Sequence, residues 1–292
     1  MSETLPVWLR EEIRQAKRGQ GKEQIEQTSS LLKHLGLSTV CDSARCPNRG
    51  ECFSHHTATF LILGDVCTRG CAFCAVRHGR PEVPLDPGEP ERLSSAVSEL
   101  GLSHVVITSV TRDDLPDGGA GHYARVVQEL RRRCSGVTVE ILVPDFLGFE
   151  DSLSTVLEAC PDILAHNVET VPRLYWEVRR GADYARSLTL LRRVKSRAPH
   201  IVVKSGFMLG LGETSEEIEV VLQDLAGAGC DMVTIGQYLA PSLAHTPVHR
   251  YAGRDEFARW REIGLCMGFK SVASGPLVRS SYKAQLFFRK LA

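Results

Sequence analysis

Six of the ten cysteines in this 292-residue chain fall between Cys41 and Cys74, in two triplets. The second, Cys67-Thr-Arg-Gly-Cys71-Ala-Phe-Cys74, has the spacing C-x3-C-x2-C and follows an apolar run, Phe60 to Leu63. Three thiolates on one tight loop suit three corners of a cuboidal [4Fe–4S] cluster. The fourth iron then lacks a protein ligand and is open to the amine and carboxylate of a small molecule. Gly70 relieves crowding where the loop wraps the cluster. A zinc knot is the alternative. Structural zinc takes four ligands, commonly from two C-x2–4-C pairs. Only one C-x2-C pair occurs here, although His55, His56 and His78 could complete a zinc site. The first triplet, Cys41, Cys46 and Cys52, is spaced C-x4-C-x5-C and by itself says only cluster or metal. The remaining cysteines, Cys134, Cys160, Cys230 and Cys266, read as buried small hydrophobes.

Composition narrows the class. Lys plus Arg equals Asp plus Glu at 35 each, so no global basic field attracts nucleic acid or an anionic membrane. No stretch approaches the apolar run of about 20 residues that spans a bilayer. The start lacks a basic-then-apolar signal pattern, and Glu3, Glu11 and Glu12 argue against an acid-poor transit peptide. A cytoplasmic protein is expected. There, clustered thiols point to metal or redox chemistry rather than disulfides.

The elements that must position the cysteines follow from periodicity. Residues 1–40 read as polar and helical, and 41–57, with Pro47 and Gly50, as an irregular loop. Apolar runs at 58–63, 104–110, 138–143, 163–168, 201–209 and 232–238 read as buried strands. Amphipathic stretches at 90–100, 120–133, 151–159, 185–197 and 214–228 alternate with them as helices. This alternation implies βαβ units and a parallel sheet. The class is α/β: a barrel or partial barrel, with a doubly wound open sheet as the alternative. Beyond residue 270 no clear element is expected. In either architecture the carboxyl ends of the strands line the site, which selects Thr108 and Ser109, Asp145, Asn167 and Glu169, Lys204 and Ser205, and Gln237. Leu209-Gly-Leu-Gly-Glu213 reads as a tight turn, since it lacks the phosphate-binding glycine patterns. Arg131, Arg132 and Arg133 read as compensating a helix dipole, with docking of an acidic carrier as the sharper alternative. Arg112, Asp113, Asp114 and Asp117 read either as site residues or as ion pairs that fix a loop.

The C-x3-C-x2-C loop after the first strand, with Phe73 as its aromatic, resembles the radical S-adenosylmethionine superfamily. The C-x4-C-x5-C just before it resembles the auxiliary-cluster motif of lipoyl synthases. Further stretches agree with that family: Thr108 to Gly119, His166 to Tyr175, Arg179 to Tyr184, and Arg279-Ser-Ser-Tyr282. The resemblance runs from the N-terminal Leu-Pro-x-Trp-Leu to Tyr282. It implies a partial (β/α)6 TIM-like barrel over 58–270. N-terminal (1–57) and C-terminal (271–292) extensions would carry the auxiliary cluster.

The resemblance also implies the chemistry: insertion of two sulfur atoms at C6 and C8 of a protein-bound octanoyl-lysine chain. Cys67, Cys71 and Cys74 would hold the catalytic [4Fe–4S] cluster, whose open iron chelates S-adenosylmethionine. Cys41, Cys46 and Cys52 would hold a second, sacrificial [4Fe–4S] cluster, with Ser281, or its neighbour Ser280, as fourth ligand. Thr108, Ser109, Asn167 and Glu169 suit the cofactor's amine and ribose, and Lys204 or Arg173 its carboxylate. Implied partners are octanoylated lipoyl carrier domains (glycine-cleavage H protein, E2 subunits of 2-oxoacid dehydrogenases), an electron donor and an iron–sulfur carrier for cluster repair. No nucleic-acid or membrane partner is expected. Two competing functions remain at this point: another sulfur-inserting radical enzyme, and a non-enzymatic cluster or zinc module.

Overall fold

Short runs of β-branched and large apolar residues make eight strands in the computed structural model, which describes residues 5–17 and 21–288. They are β1 (Ser38–Thr39), β2 (Thr59–Ile62), β3 (His104–Ser109), β4 (Thr138–Leu142), β5 (Ile163–Ala165), β6 (Val202–Leu209), β7 (Met232–Gln237) and β8 (Ser271–Gly275). They follow one another in chain order. The ends of the expected extensions, 1–4 and 289–292, and residues 18–20 lie outside the described residues.

The chain divides into two compact units. The first comprises Arg14–Arg69 and Ala75–Ile163; the second comprises the chain up to Ile13, Gly70–Cys74, and everything from Leu164 onward. In the first unit β2, β3 and β4 pair in parallel, and β1 pairs with β2 antiparallel. One face of this sheet is mostly apolar, with Phe60, Ile62, Val105, Ile107, Val139 and Ile141 buried and Ser109 beside Ile62 at its carboxyl end. The other carries polar groups, including Thr108 and a buried His104–Glu140 pair at 3.1 Å. In the second unit β6, β7 and β8 pair in parallel. The chain beyond β5 continues along β6, with the Glu169 amide donating to the Gly206 carbonyl at 3.0 Å.

The expected strands at 58–238 correspond to β2–β7. The helices Glu89–Glu99, Ala120–Arg133, Glu150–Glu158, Tyr184–Arg197 and Ser215–Gly227 lie where amphipathic spacing puts them. Three expectations need correction. The 41–57 loop contains two short helices, Val40–Ser43 and Arg49–Ser54. Pro47 falls between them, where it breaks neither, and Thr39 caps the first by accepting from the Asp42 amide. Beyond 238 the chain adds the helix Arg254–Cys266, which buries Phe257, Trp260 and Gly264, and then β8. Finally, Cys160 and Cys266 are exposed, whereas Cys134 and Cys230 are buried as expected.

One carboxylate ties the edges of the second unit's sheet. Asp231, 5 % exposed at the side chain, accepts from Lys195 at 2.8 Å, Lys270 at 2.9 Å and the Val203 amide at 2.9 Å. Burial acts to raise its pKa, but these donors outweigh burial and hold it below the ordinary carboxylate value. A depressed folded-state value stabilises the fold above about pH 4 and loses that contribution as pH falls through the folded-state pKa. Asp231→Asn is expected to cost about 1–3 kcal/mol at pH 7. In urea titrations the gap between the two proteins should narrow below about pH 4.

Candidate active site

The Cys67–Cys74 loop has no secondary structure of its own, so outside hydrogen bonds must fix it. In the first unit the Cys67 amide donates to the Arg77 carbonyl at 2.8 Å, and the Gly79 amide donates back to the Cys67 carbonyl at 2.9 Å. The amides of Arg69 and Thr111 point at Cys67 Sγ, at 3.4 and 3.3 Å. Such donors suit a sulfur that carries negative charge as an iron ligand. In the second unit Ala72 bonds on both sides, its amide to the Val178 carbonyl and its carbonyl to the Thr246 amide, each at 2.9 Å. His245 Nε2 lies 3.2 Å from the Cys74 carbonyl oxygen.

Arg69, inside the loop, was not singled out in the sequence. It makes a two-pronged pair with Asp113 at 2.7 and 2.9 Å and a third bond to Asp145 at 2.6 Å. Burial works against its charge, but the two carboxylates outweigh it and hold its pKa above the ordinary arginine value. Arg112 pairs with Asp114 and donates to the Leu63 carbonyl, while Asp117 accepts from the Gly119 and Gly121 amides. The acidic stretch is therefore a loop fixed by its own ion pairs. Likewise Arg131 pairs with Asp162, and Arg132 and Arg133 pair with Glu129.

The first triplet lies wholly in the first unit, on the two short helices and the turn between them. The Cys46 amide donates to the Cys41 carbonyl at 3.0 Å, and the Thr57 hydroxyl to the Cys52 carbonyl at 2.8 Å. The three thiols are electrostatic neighbours. Burial first, then the nearness of Cys41 and Cys46, pushes the Cys52 thiol up to about 12. Burial likewise raises Cys41 to about 11, with Cys46 adding to it. Such thiols are neutral near pH 7 unless a positive charge stands beside them, and binding a metal there would release protons. Among the described residues, no three His, Cys, Asp or Glu side chains gather at single-ion distance.

The polar residues expected at the strand ends divide between the units. In the first, the Thr108 hydroxyl donates to the Leu142 carbonyl at 3.1 Å, and Ser109 ends β3 with its hydroxyl buried. In the second, Asn167 Nδ2 donates to Glu169 at 3.0 Å and to the Ser280 hydroxyl at 2.6 Å, leaving Oδ1 buried without a donor. Lys204, 1 % exposed, donates to the Ser280 carbonyl at 2.6 Å. Burial raises the Glu169 carboxyl, against the charges of Arg179 and Arg279 and the Asn167 hydrogen bond. Arg173 is exposed and pairs with Glu217 at 2.7 and 3.0 Å. Ser281 follows in the same turn, its carbonyl accepting from the Ala284 amide. The Leu209–Glu213 turn is closed by Glu213, which accepts from the Gly210 and Leu211 amides.

The radical SAM superfamily model matches residues 61–237. Curated lipoyl synthases match nearly the whole chain. That of Caldanaerobacter subterraneus subsp. tengcongensis is 56% identical over 96% of this chain and 96% of its own. That of Thioalkalivibrio sulfidiphilus is 53% identical over 96% and 85%. The chain belongs to the lipoyl synthase family. It is thus a radical S-adenosylmethionine sulfurtransferase, and a [4Fe–4S] cluster and S-adenosylmethionine go with its domain. Solved structures agree on the fold. The hydrogenase maturase HydG of Carboxydothermus hydrogenoformans matches with a TM-score of 0.56 at 13% identity, over 97% of this chain and 72% of that one. Streptococcus suis SuiB bound to S-adenosylmethionine matches with a TM-score of 0.54 at 14% identity, over 74% and 50%. The partial α/β barrel expected for lipoyl synthases is therefore the fold of this chain. Among the described residues, no helix is long and apolar enough to cross a membrane.

Two outcomes follow from this geometry. Arg69→Met takes the cation from the fully buried Asp145 carboxylate and should cost about 3–5 kcal/mol in denaturant titrations. In cluster-free protein, iodoacetamide labelling of Cys41 and Cys52, followed by mass spectrometry, should rise about tenfold per pH unit between pH 7 and 9. A labelling rate independent of pH would contradict the raised thiol values.

Proposed function

We propose that this chain inserts sulfur at C6 and C8 of an octanoyl chain amide-linked to a lysine of a lipoyl carrier domain, with the sulfur drawn from a second cluster. The observation that carries this reading is the first triplet. Three thiols, two of them strongly raised, are mutual neighbours in a chain whose relatives, one of them 56% identical, are lipoyl synthases. A [4Fe–4S] cluster on Cys41, Cys46 and Cys52 needs a fourth ligand, and Ser281 is the proposed one. Ser280, whose hydroxyl accepts from Asn167, is the alternative. A serine oxygen holds iron less firmly than a thiolate, which suits a cluster that must come apart as sulfide leaves.

Cys67, Cys71 and Cys74 are proposed to hold the catalytic cluster. Bound at that cluster's open iron, S-adenosylmethionine supplies on one-electron reduction a carbon radical able to take hydrogen from an unactivated carbon. The residues' own part is to bind and orient. The buried Oδ1 of Asn167 is an acceptor ready for a donor such as a ribose hydroxyl or the methionine amine. Thr108, Ser109 and Glu169 are proposed as further contacts. Of the two cations considered for the carboxylate, Arg173 is committed to Glu217 and Lys204 to Ser280, so each would have to share its charge. Residues up to 57 and from 271 onward are proposed as the extensions that serve the second cluster. The carrier partners, the electron donor, the cluster-repair carrier and a cytoplasmic setting complete the proposal. The thiol-rich, disulfide-free chemistry supports that setting.

Anaerobically reconstituted protein, given dithionite, S-adenosylmethionine and an octanoyl-lysine peptide, tests the reading by mass spectrometry. A gain of two sulfurs on the peptide is expected. In Cys46→Ala that gain should vanish while 5′-deoxyadenosine still forms. Sulfur insertion that survives Cys46→Ala would remove the first triplet from the chemistry.

A further inference from the structure

Among the described residues, the Arg279-Ser280-Ser281-Tyr282 segment leaves β8 with the short helix Ala284–Phe288 as the one element after it. What holds the segment lies on the sheet of the second unit. The register sets Lys204 opposite Met232 and Met208 opposite Gly236, so these four share one face of β6 and β7. On that face the buried Lys204 ammonium donates to the Ser280 carbonyl at 2.6 Å. Asn167 donates to the Ser280 hydroxyl at the same distance. Gly236 provides the floor: a Cβ there would stand 2.3 Å from the Val278 carbonyl oxygen and 3.3 Å from an Arg279 nitrogen. Arg279 is close enough to Glu169 to favour its charged form. Backbone, side chain and charge of the segment are thus gripped separately, one residue before Ser281.

A buried lysine is a costly way to fill space, since a methionine of similar length occupies it without desolvating a charge. Its value here is directional, because it fixes one carbonyl. We propose that Lys204 and Asn167 are positioning residues which hold Ser280, just beyond the point where Val278 packs on the bare backbone of Gly236, and so present Ser281 as a cluster ligand. The proposal rests on the reading of Ser281 as that ligand. Because Asn167 keeps its Oδ1 toward a prospective cofactor donor while its Nδ2 holds Ser280, one side chain would join the cofactor pocket to the closing segment.

Hydrogen exchange on the full-length, cluster-free protein tests the seat. Lys204→Met removes the donor, and Gly236→Ala obstructs the floor while leaving every side-chain partner in place. Each should speed amide exchange across 278–282 by about tenfold or more, with β6 and β7 still protected. Unchanged exchange in both variants overturns the seat. Should Lys204→Met exchange throughout and so fail to fold, Gly236→Ala and Asn167→Ala decide the matter by the same criterion. The electron paramagnetic resonance spectrum of the reconstituted second cluster then tests the positioning role. Lys204→Met is expected to shift that spectrum as Ser281→Ala does. A shift in Ser281→Ala alone overturns positioning. No shift in Ser281→Ala withdraws the ligand reading, and with it the purpose of the seat, while the exchange result still reports the seat itself.

Discussion

A cluster on three thiolates of one short irregular loop, as proposed for Cys67, Cys71 and Cys74, would demand that the loop be fixed before iron arrives, because nothing within it fixes its shape. The Cys67–Cys74 segment meets that demand from outside. Its first cysteine is bracketed by the Arg77 and Gly79 backbone, and Ala72 is bonded on both sides. Arg69 is locked to Asp113 and Asp145. The ion pair is buried, so its partners are not interchangeable: removing the cation leaves a carboxylate stranded away from water. The same logic explains the acidic loop after β3. Its carboxylates are spent on Arg69, Arg112 and helix-end amides, which leaves it structural.

The second triplet's neighbour solves a different problem. Cys41 is buried and Cys52 half-buried beside it, so their thiols resist ionisation near neutral pH. If the proposed second cluster sits there, its binding would be coupled to proton release, and its loss would leave neutral thiols rather than repelling charges.

Much of this was legible in the sequence. The thiol spacing carried the cluster chemistry, and the alternation of apolar runs and amphipathic stretches carried β2–β7. Each missed element has a physical reason. The helices around Cys41 and Cys52 are too short to show a period, and Pro47 disguises them by lying between. β8 is built from Ser, Val, Ala and Gly, a composition with little strand signal. The helix Arg254–Cys266 did carry a signal, in the spacing of Phe257, Trp260 and Gly264. Arg69 was invisible because its partners lie 44 and 76 residues away. Asn167 and Lys204 stood out as polar groups on buried strands, but no local pattern says that Ser280, 113 and 76 residues distant, is what they hold.

The account turns on the second cluster as the source of sulfur. The most direct measurement is to rebuild the clusters with heavy-isotope sulfide, remove all free sulfide, and follow a single turnover on an octanoyl-lysine peptide by mass spectrometry. Both sulfur atoms in the product should carry the heavy isotope. A product whose sulfur has natural isotopic composition would contradict the account, because the sulfur would then not have come from a rebuilt cluster.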